Sequence, residues 1–245
     1  MKKLLIALVA LVPTLGFAAA GHKVHLEQAN VDLHDKESLV RGLDLFQHYC
    51  AGCHSQQYQR YERVATDLGV SIDDMRSKYI VTGAKVGELM ENAIPEKDAA
   101  KWFGAAPPDL TLVARVRGED WVYSYLKGFY KDPSRPFGVN NTVFPSVGMP
   151  HVLEELQGIA TPVIETEVVD GKEVVKVKGV NPATGGKMTA EEYDQAMRDL
   201  TGFLVYSAEP VKLERQAMGV WVLAFLFIFF IVAFLLKKEY WKDVH

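Results

Sequence analysis

The sequence predicts an all-α fold with one small β-hairpin insertion and one C-terminal transmembrane helix. Three observations predict it. Apolar residues recur at helical spacing, as in Leu39, Leu43, Phe46 and Cys50. Thr189 followed by Glu192 forms a capping box, and Tyr193, Met197, Leu200 and Leu204 continue along one face. Ala217–Leu236 is a run of twenty residues without a charge. Strand-like alternation is confined to Val163–Lys178, where valines flank Asp170-Gly171, a two-residue hairpin turn. With 245 residues, 49% hydrophobic and 24% charged, the chain can bury a core in one or two domains and is not disordered. Its net charge of −4 argues against binding nucleic acid, which needs a basic face. Two cysteines are too few for a disulfide scaffold.

Residues 1–20 read as a secretory signal. Lys2 and Lys3 precede an apolar stretch from Leu4 to Leu15, and Phe17-Ala18-Ala19-Ala20 supplies the small residues of a cleavage zone. Residues 21–210 are then an exported domain, expected in a periplasm. Loss of the two lysines takes the net charge from −4 to −6. An acidic surface attracts a basic partner, more strongly at low salt.

The first helix of this domain is expected to start at a cap on Asp35 or Ser38 and to end at Cys50. Ile72, Met75, Arg76 and Tyr79 mark a second. Val86, Leu89, Met90 and Ala93 mark a third, ending before Pro95. Trp121, Val122, Tyr125, Leu126 and Phe129 mark a further helix after Asp120, and their aromatic stripe reads as core. Pro210 separates the capping-box helix from the anchor, residues 211–238. At ~1.5 Å per residue the uncharged run spans ~30 Å, the thickness of a bilayer's hydrocarbon core. Trp221, Tyr240 and Trp241 lie near its two ends. Lys237, Lys238 and Lys242 follow it, so the tail, residues 239–245, is expected in the cytoplasm.

The chemistry lies in Cys50-Ala51-Gly52-Cys53-His54, the C-x-x-C-H pattern of covalent c-type haem attachment. Each thiol can add to one porphyrin vinyl group, and the adjacent histidine supplies the proximal nitrogen to the iron. A thioredoxin-like pair needs a strand-to-helix context, which the helical residues before Cys50 do not provide. A zinc site needs further soft ligands, and no other cysteine exists. The domain is therefore expected to be a cytochrome c-like haem domain with one haem c.

A second axial ligand decides whether such a haem transfers electrons or binds gases. Met75, Met90 and Met197 fall at helical spacing and read as core filler. Met149 sits in the loop Asn140-Asn141-Thr142-Val143-Phe144-Pro145-Ser146-Val147-Gly148-Met149-Pro150, whose proline and glycine keep the backbone extended. It is the leading candidate. His151 is the rival, and an open position is the third possibility.

These segments, in this order, resemble the cytochrome c1 family, the haem-bearing subunits of cytochrome bc1 complexes (ubiquinol–cytochrome c reductase). The resemblance rests on the C-x-x-C-H site, Ala106-Pro107-Pro108-Asp109-Leu110-Thr111, Arg115-Val116-Arg117-Gly118-Glu119-Asp120, the Met149-Pro150 loop and the C-terminal anchor. It implies that Met149 is the distal ligand opposite His54, and that Pro107, Pro108 and Asp109 lie along the haem. It also implies that Arg117 contacts a propionate, with Arg115 as the alternative. By the same resemblance, cytochrome b and a Rieske iron–sulfur protein would be partners, a soluble or tethered c-type cytochrome the acceptor, and a bacterial inner membrane the location. Two other functions compete: a tethered monohaem cytochrome of another respiratory complex, and a haem sensor with an exchangeable sixth ligand. Lys101-Trp102-Phe103-Gly104 departs from the family pattern and carries no expected role.

Overall fold

The computed structural model describes residues 25–169 and 172–242. Residues 1–24, which include the stretch expected to be a secretory signal, Asp170 and Gly171, expected to be the hairpin turn, and residues 243–245 lie outside them.

Helix α1, Lys36–Leu45, begins where the Asp35 carboxylate accepts a hydrogen bond from the Ser38 amide at 3.0 Å, satisfying one of the free donors of the first turn. It continues as a π-helical turn, Phe46–Cys50. Leu39, Leu43, Phe46 and Cys50 are all buried, so the expected apolar face is the face that packs.

It packs on α8, Ala190–Ala208, which opens with the capping box of Thr189 and Glu192. From Leu200 to Ser207 every residue of α8 is buried, which makes it the central helix of the domain. The two helices meet at Gly42. A Cβ there would lie 2.1 Å from the Asp199 carbonyl oxygen and 2.7 Å from Phe203 Cβ, so only glycine permits this approach. Beside the crossing, the Phe46 and Phe203 rings pack with centroids 5.6 Å apart. The buried Asp199 carboxylate accepts from Arg41 Nε at 2.6 Å, Ser38 Oγ at 2.6 Å and Gln195 Nε2 at 2.9 Å. A buried charge is tolerated when paired in this way.

Short elements fill the space between these helices. Strand β1, Gln56–Arg60, follows the C-x-x-C-H turn and leads into α2, Tyr61–Leu68. Then come α3, Ile72–Asp74, which runs on as a π-helical turn through Tyr79, and β2, Leu89–Met90. Helices α4, Glu96–Phe103, α5, Val113–Arg117, and α6, Glu119–Lys127, precede a ribbon of β3, Phe129–Lys131, with β4, Val139–Asn141. A short helix α7, Glu154–Gln157, and β5, Gly158–Ile159, lead to the hairpin β6, Pro162–Val169, with β7, Lys172–Val180. Strand β8, Thr184–Gly185, pairs back to β5. Met75, Met90 and Met197 are buried, as expected for filler.

Two expectations need correction. Val86–Ala93 is not a helix: Leu89 and Met90 pair with β1, while the Val86 and Glu88 carbonyls accept from the first amides of α2. Pairing with a distant segment outweighs the i, i+3, i+4 spacing, and Gly87 within the stretch weakens any helix. Pro95 accordingly caps the start of α4 and does not end a helix. Phe129 likewise leaves α6 and opens β3. The helix stops at Gly128, where a Cβ would come within 2.5 Å of Thr142 Oγ1.

Helix α9, Lys212–Tyr240, is apolar along most of its length, and none of that apolar stretch is buried within the chain. An apolar helix with every face exposed needs a hydrocarbon environment, so the chain is membrane-anchored.

Candidate haem-binding site

The attachment motif is a closed turn at the end of the first helix. The Cys53 and His54 amides both donate to the Cys50 carbonyl, at 3.0 and 2.8 Å. The wide π-helical turn just before it brings Cys50 inward, where it is 6% exposed, while Cys53 is half-buried. Burial pushes the Cys50 thiol up to about 12.

His54 is held from the other side. Its Nδ1 lies 2.7 Å from the Pro108 carbonyl oxygen. A carbonyl can only accept, so Nδ1 carries the proton and the Nε2 lone pair is left for a metal. Burial also lowers the imidazole below its ordinary range, favouring the neutral, ligating form.

Further bonds knit the Pro107–Thr111 segment to the residues after the motif and brace it internally. The Leu110 amide donates to the Ser55 carbonyl at 2.9 Å, and the Gln57 amide to Asp109 Oδ2 at 2.7 Å. Asp109 Oδ1 accepts from the Thr111 amide at 2.9 Å. Asn92, which the sequence did not single out, donates from Nδ2 to the Cys53 carbonyl at 2.9 Å. Its amide donates to Ser55 Oγ at 3.0 Å. The only signal for it was its place just before Pro95, in a segment read as helix.

The second group lies along α6. Arg117 sits with its guanidinium 5.0 Å from the Trp121 ring centroid. Trp121 stacks on Tyr125, with centroids 5.1 Å apart and planes 9° off parallel. The Tyr125 hydroxyl donates to Met149 Sδ at 3.3 Å. The stripe expected to be simple core therefore ends on the candidate ligand. Arg115 is engaged at 2.7 Å with Glu209, whereas Arg117 has no acidic partner among the described residues. Arg117 is thus the one of the two free to hold a carboxylate.

The loop that presents Met149 is scaffolded by its two asparagines. Asn141, fully buried, donates to the Tyr125 carbonyl at 2.8 Å and accepts from the Val143 amide at 2.9 Å. Asn140 Oδ1 accepts from the Ser146 amide at 2.8 Å, and Arg135 Nη2 donates to the Ser146 carbonyl at 2.8 Å. Ser146 has a φ of +65°, a conformation that needs such holding. Met149 itself packs against Phe129, Val139 and Val147. His151, the rival, is 7% exposed and stacks on Phe129 with centroids 4.8 Å apart; burial pushes it down to about 4.

The donor set fits a covalent haem: two thiols at one turn, an imidazole with one nitrogen free, a thioether on a braced loop and an uncommitted guanidinium. Among the described residues no group of three or more His, Cys, Asp or Glu is gathered in one place. Fold and site define a c-type cytochrome on a single-helix anchor.

Comparisons with known proteins narrow that class. The model of the Cytochrome C1 family matches residues 27–244. Cytochrome c1 of Allochromatium vinosum is 51% identical over 245 residues, covering 100% of both chains. A Nitrosomonas europaea protein described as the ammonia monooxygenase gamma subunit is 44% identical over 252 residues, covering 100% of this chain and 99% of that protein. Cytochrome c1 of Blastochloris viridis is 26% identical over 244 residues, covering 86% and 82%. The chain belongs to the cytochrome c1 family. It is an electron-transfer haem subunit of a bc1 complex and holds one haem c through Cys50 and Cys53.

Proposed function

We propose that His54 and Met149 are the two axial ligands, that Pro107 lines the ring and that Arg117 holds a propionate. In this role the chain accepts electrons one at a time from a Rieske iron–sulfur protein and passes them to a soluble or tethered c-type cytochrome, beside cytochrome b. The haem, when bound, supplies one-electron redox chemistry. The observation that carries the reading is the bond between His54 Nδ1 and the Pro108 carbonyl, which fixes the imidazole's tautomer and orientation next to both cysteines.

The residues around that bond act as positioners. Asp109 and Asn92 hold the backbone on either side of His54 and so would hold the imidazole in place for the one-electron chemistry that the haem would supply. A small rearrangement is what fast electron transfer requires. Arg117 offers a bidentate fork to a carboxylate and is held against Trp121 by its ring. Residues 1–20 are proposed as the cleaved signal, residues 21–210 as the periplasmic haem domain, residues 211–238 as the anchor in a bacterial inner membrane and residues 239–245 as the cytoplasmic tail. Lys237, Lys238 and Lys242 after the apolar run support that orientation.

The Nitrosomonas relative carries the name of a subunit of a different complex, which makes the composition of the purified complex the discriminating measurement. Purified in mild detergent, this chain is expected to bring with it cytochrome b and a Rieske-type protein, and quinol is expected to reduce its haem through them. Recovery of an intact haem protein with neither partner would refute the assignment of partners.

A further inference from the structure

We propose that the Tyr125 hydroxyl raises the reduction potential of the haem by donating a hydrogen bond to the Met149 thioether. The inference rests on Met149 being the axial ligand and goes beyond it, because it assigns a tuning role to a residue outside the ligand set.

The geometry is specific. The hydroxyl lies 3.3 Å from Sδ, which is its only hydrogen-bond partner among the described residues. Met149 packs against the buried apolar cluster of Phe129, Val139 and Val147. A hydroxyl turned into such surroundings must find an acceptor, and sulfur is the one within reach. The ring cannot swing away. Trp121 stacks on one face at 5.1 Å, and Phe129 meets it edge-on at 5.3 Å. The Tyr125 carbonyl accepts from Asn141 of the ligand loop, so helix and loop are tied twice through this one residue.

A thioether sulfur has two lone pairs. One can face the iron and the other can accept from Tyr125. The hydrogen bond draws electron density off the sulfur and makes it a poorer donor to ferric iron, which favours the ferrous state. Hydrogen bonds to a metal's sulfur ligands are a general lever on potential.

The test uses the assembled complex. In Y125F the haem stays attached and the ferric sulfur-to-iron charge-transfer band remains. The reduction equilibrium, read as the midpoint potential, shifts roughly two- to tenfold toward the oxidised form, as loss of one hydrogen bond predicts. A fluorinated tyrosine at the same position keeps the shape and is a stronger donor, so it shifts the potential upward; it covers the case in which Y125F fails to assemble. Unchanged potentials with the band present would overturn the inference and leave the ligand assignment standing. Absence of the band from the unsubstituted protein would overturn the ligand assignment itself. A purely structural role for Tyr125 would lower thermal stability in Y125F without the opposite shifts in potential.

Discussion

Replacing Met149 by leucine is expected to open the sixth position of the haem. The reduced variant binds carbon monoxide rapidly, the unsubstituted protein does not, and the potential falls by an amount on the order of 0.1 V or more, within the ~0.8 V that axial ligation commands. Leucine matches methionine in volume and keeps the apolar contacts with Phe129, Val139 and Val147, so the loop should fold without the sulfur. Its shape comes from elsewhere: Asn140 and Arg135 brace the turn at Ser146, Asn141 holds the Val143 amide, and none of these bonds involves Met149. His151 is two positions away, but it cannot step in without leaving its stack on Phe129. A visible spectrum, potential and carbon monoxide response all unchanged in M149L would refute the ligand assignment.

The second large effect concerns the scaffold. Gly42→Ala is expected to destabilise the protein by ~1–3 kcal/mol, the range for overpacking a filled core, and so to lower Tm by several degrees. Two effects oppose each other at this position. Alanine is the better helix former by about 1 kcal/mol. Against that, the new Cβ would meet the Asp199 backbone oxygen at 2.1 Å and Phe203 at 2.7 Å, and a helix backbone cannot yield as a flexible side chain can. The clash wins. Moving α1 off α8 would also stretch the bonds from Ser38 and Arg41 to Asp199 and displace the attachment turn at the end of the same helix. Gly52 is the contrasting control. It lies inside the haem motif, yet an added Cβ meets no atom of the chain within 4 Å, so Gly52→Ala should leave the packing of the chain, and with it Tm, unchanged. Thermal melts of the two variants followed by circular dichroism check the pair; equal melting temperatures would contradict the packing described at the crossing.

The helical frame was readable because its signals are local. The cap at Asp35, the capping box at Thr189 and the apolar run after Ala217 each lie within one element and depend on no distant partner. The attachment motif is local too, since five consecutive residues carry its chemistry. The errors came where a distant segment decides the structure. Leu89 and Met90 have helical spacing, but β1 claims their backbone, and nothing near them in the sequence announces that pairing. The short ribbons of β1 with β2, β3 with β4 and β5 with β8 are formed from segments too brief to show alternation. Only the long hairpin shows it, and its strands run from Pro162 to Val180, slightly beyond the expected limits.

The functional site divides in the same way. His54 could be named from its motif, but its orienting partner is a backbone carbonyl, and a carbonyl has no sequence signature. Tyr125 was visible as one member of an aromatic stripe. Its hydroxyl distinguishes it from Phe129 next along the stripe, and that difference acquires meaning only once the ligand loop is seen to lie against it. The choice between Arg115 and Arg117 likewise turns on Glu209, nearly a hundred residues away along the chain, which engages the first and leaves the second free.

This chain carries its redox group by covalent bonds from both cysteines of one turn. Intact-mass analysis of the purified, denatured polypeptide tests it most directly. The expected mass is that of a chain beginning at or near residue 21 plus one haem, with neither Cys50 nor Cys53 available to a thiol reagent and with the haem retained after acid extraction. A polypeptide of unmodified mass with two reactive thiols would contradict it.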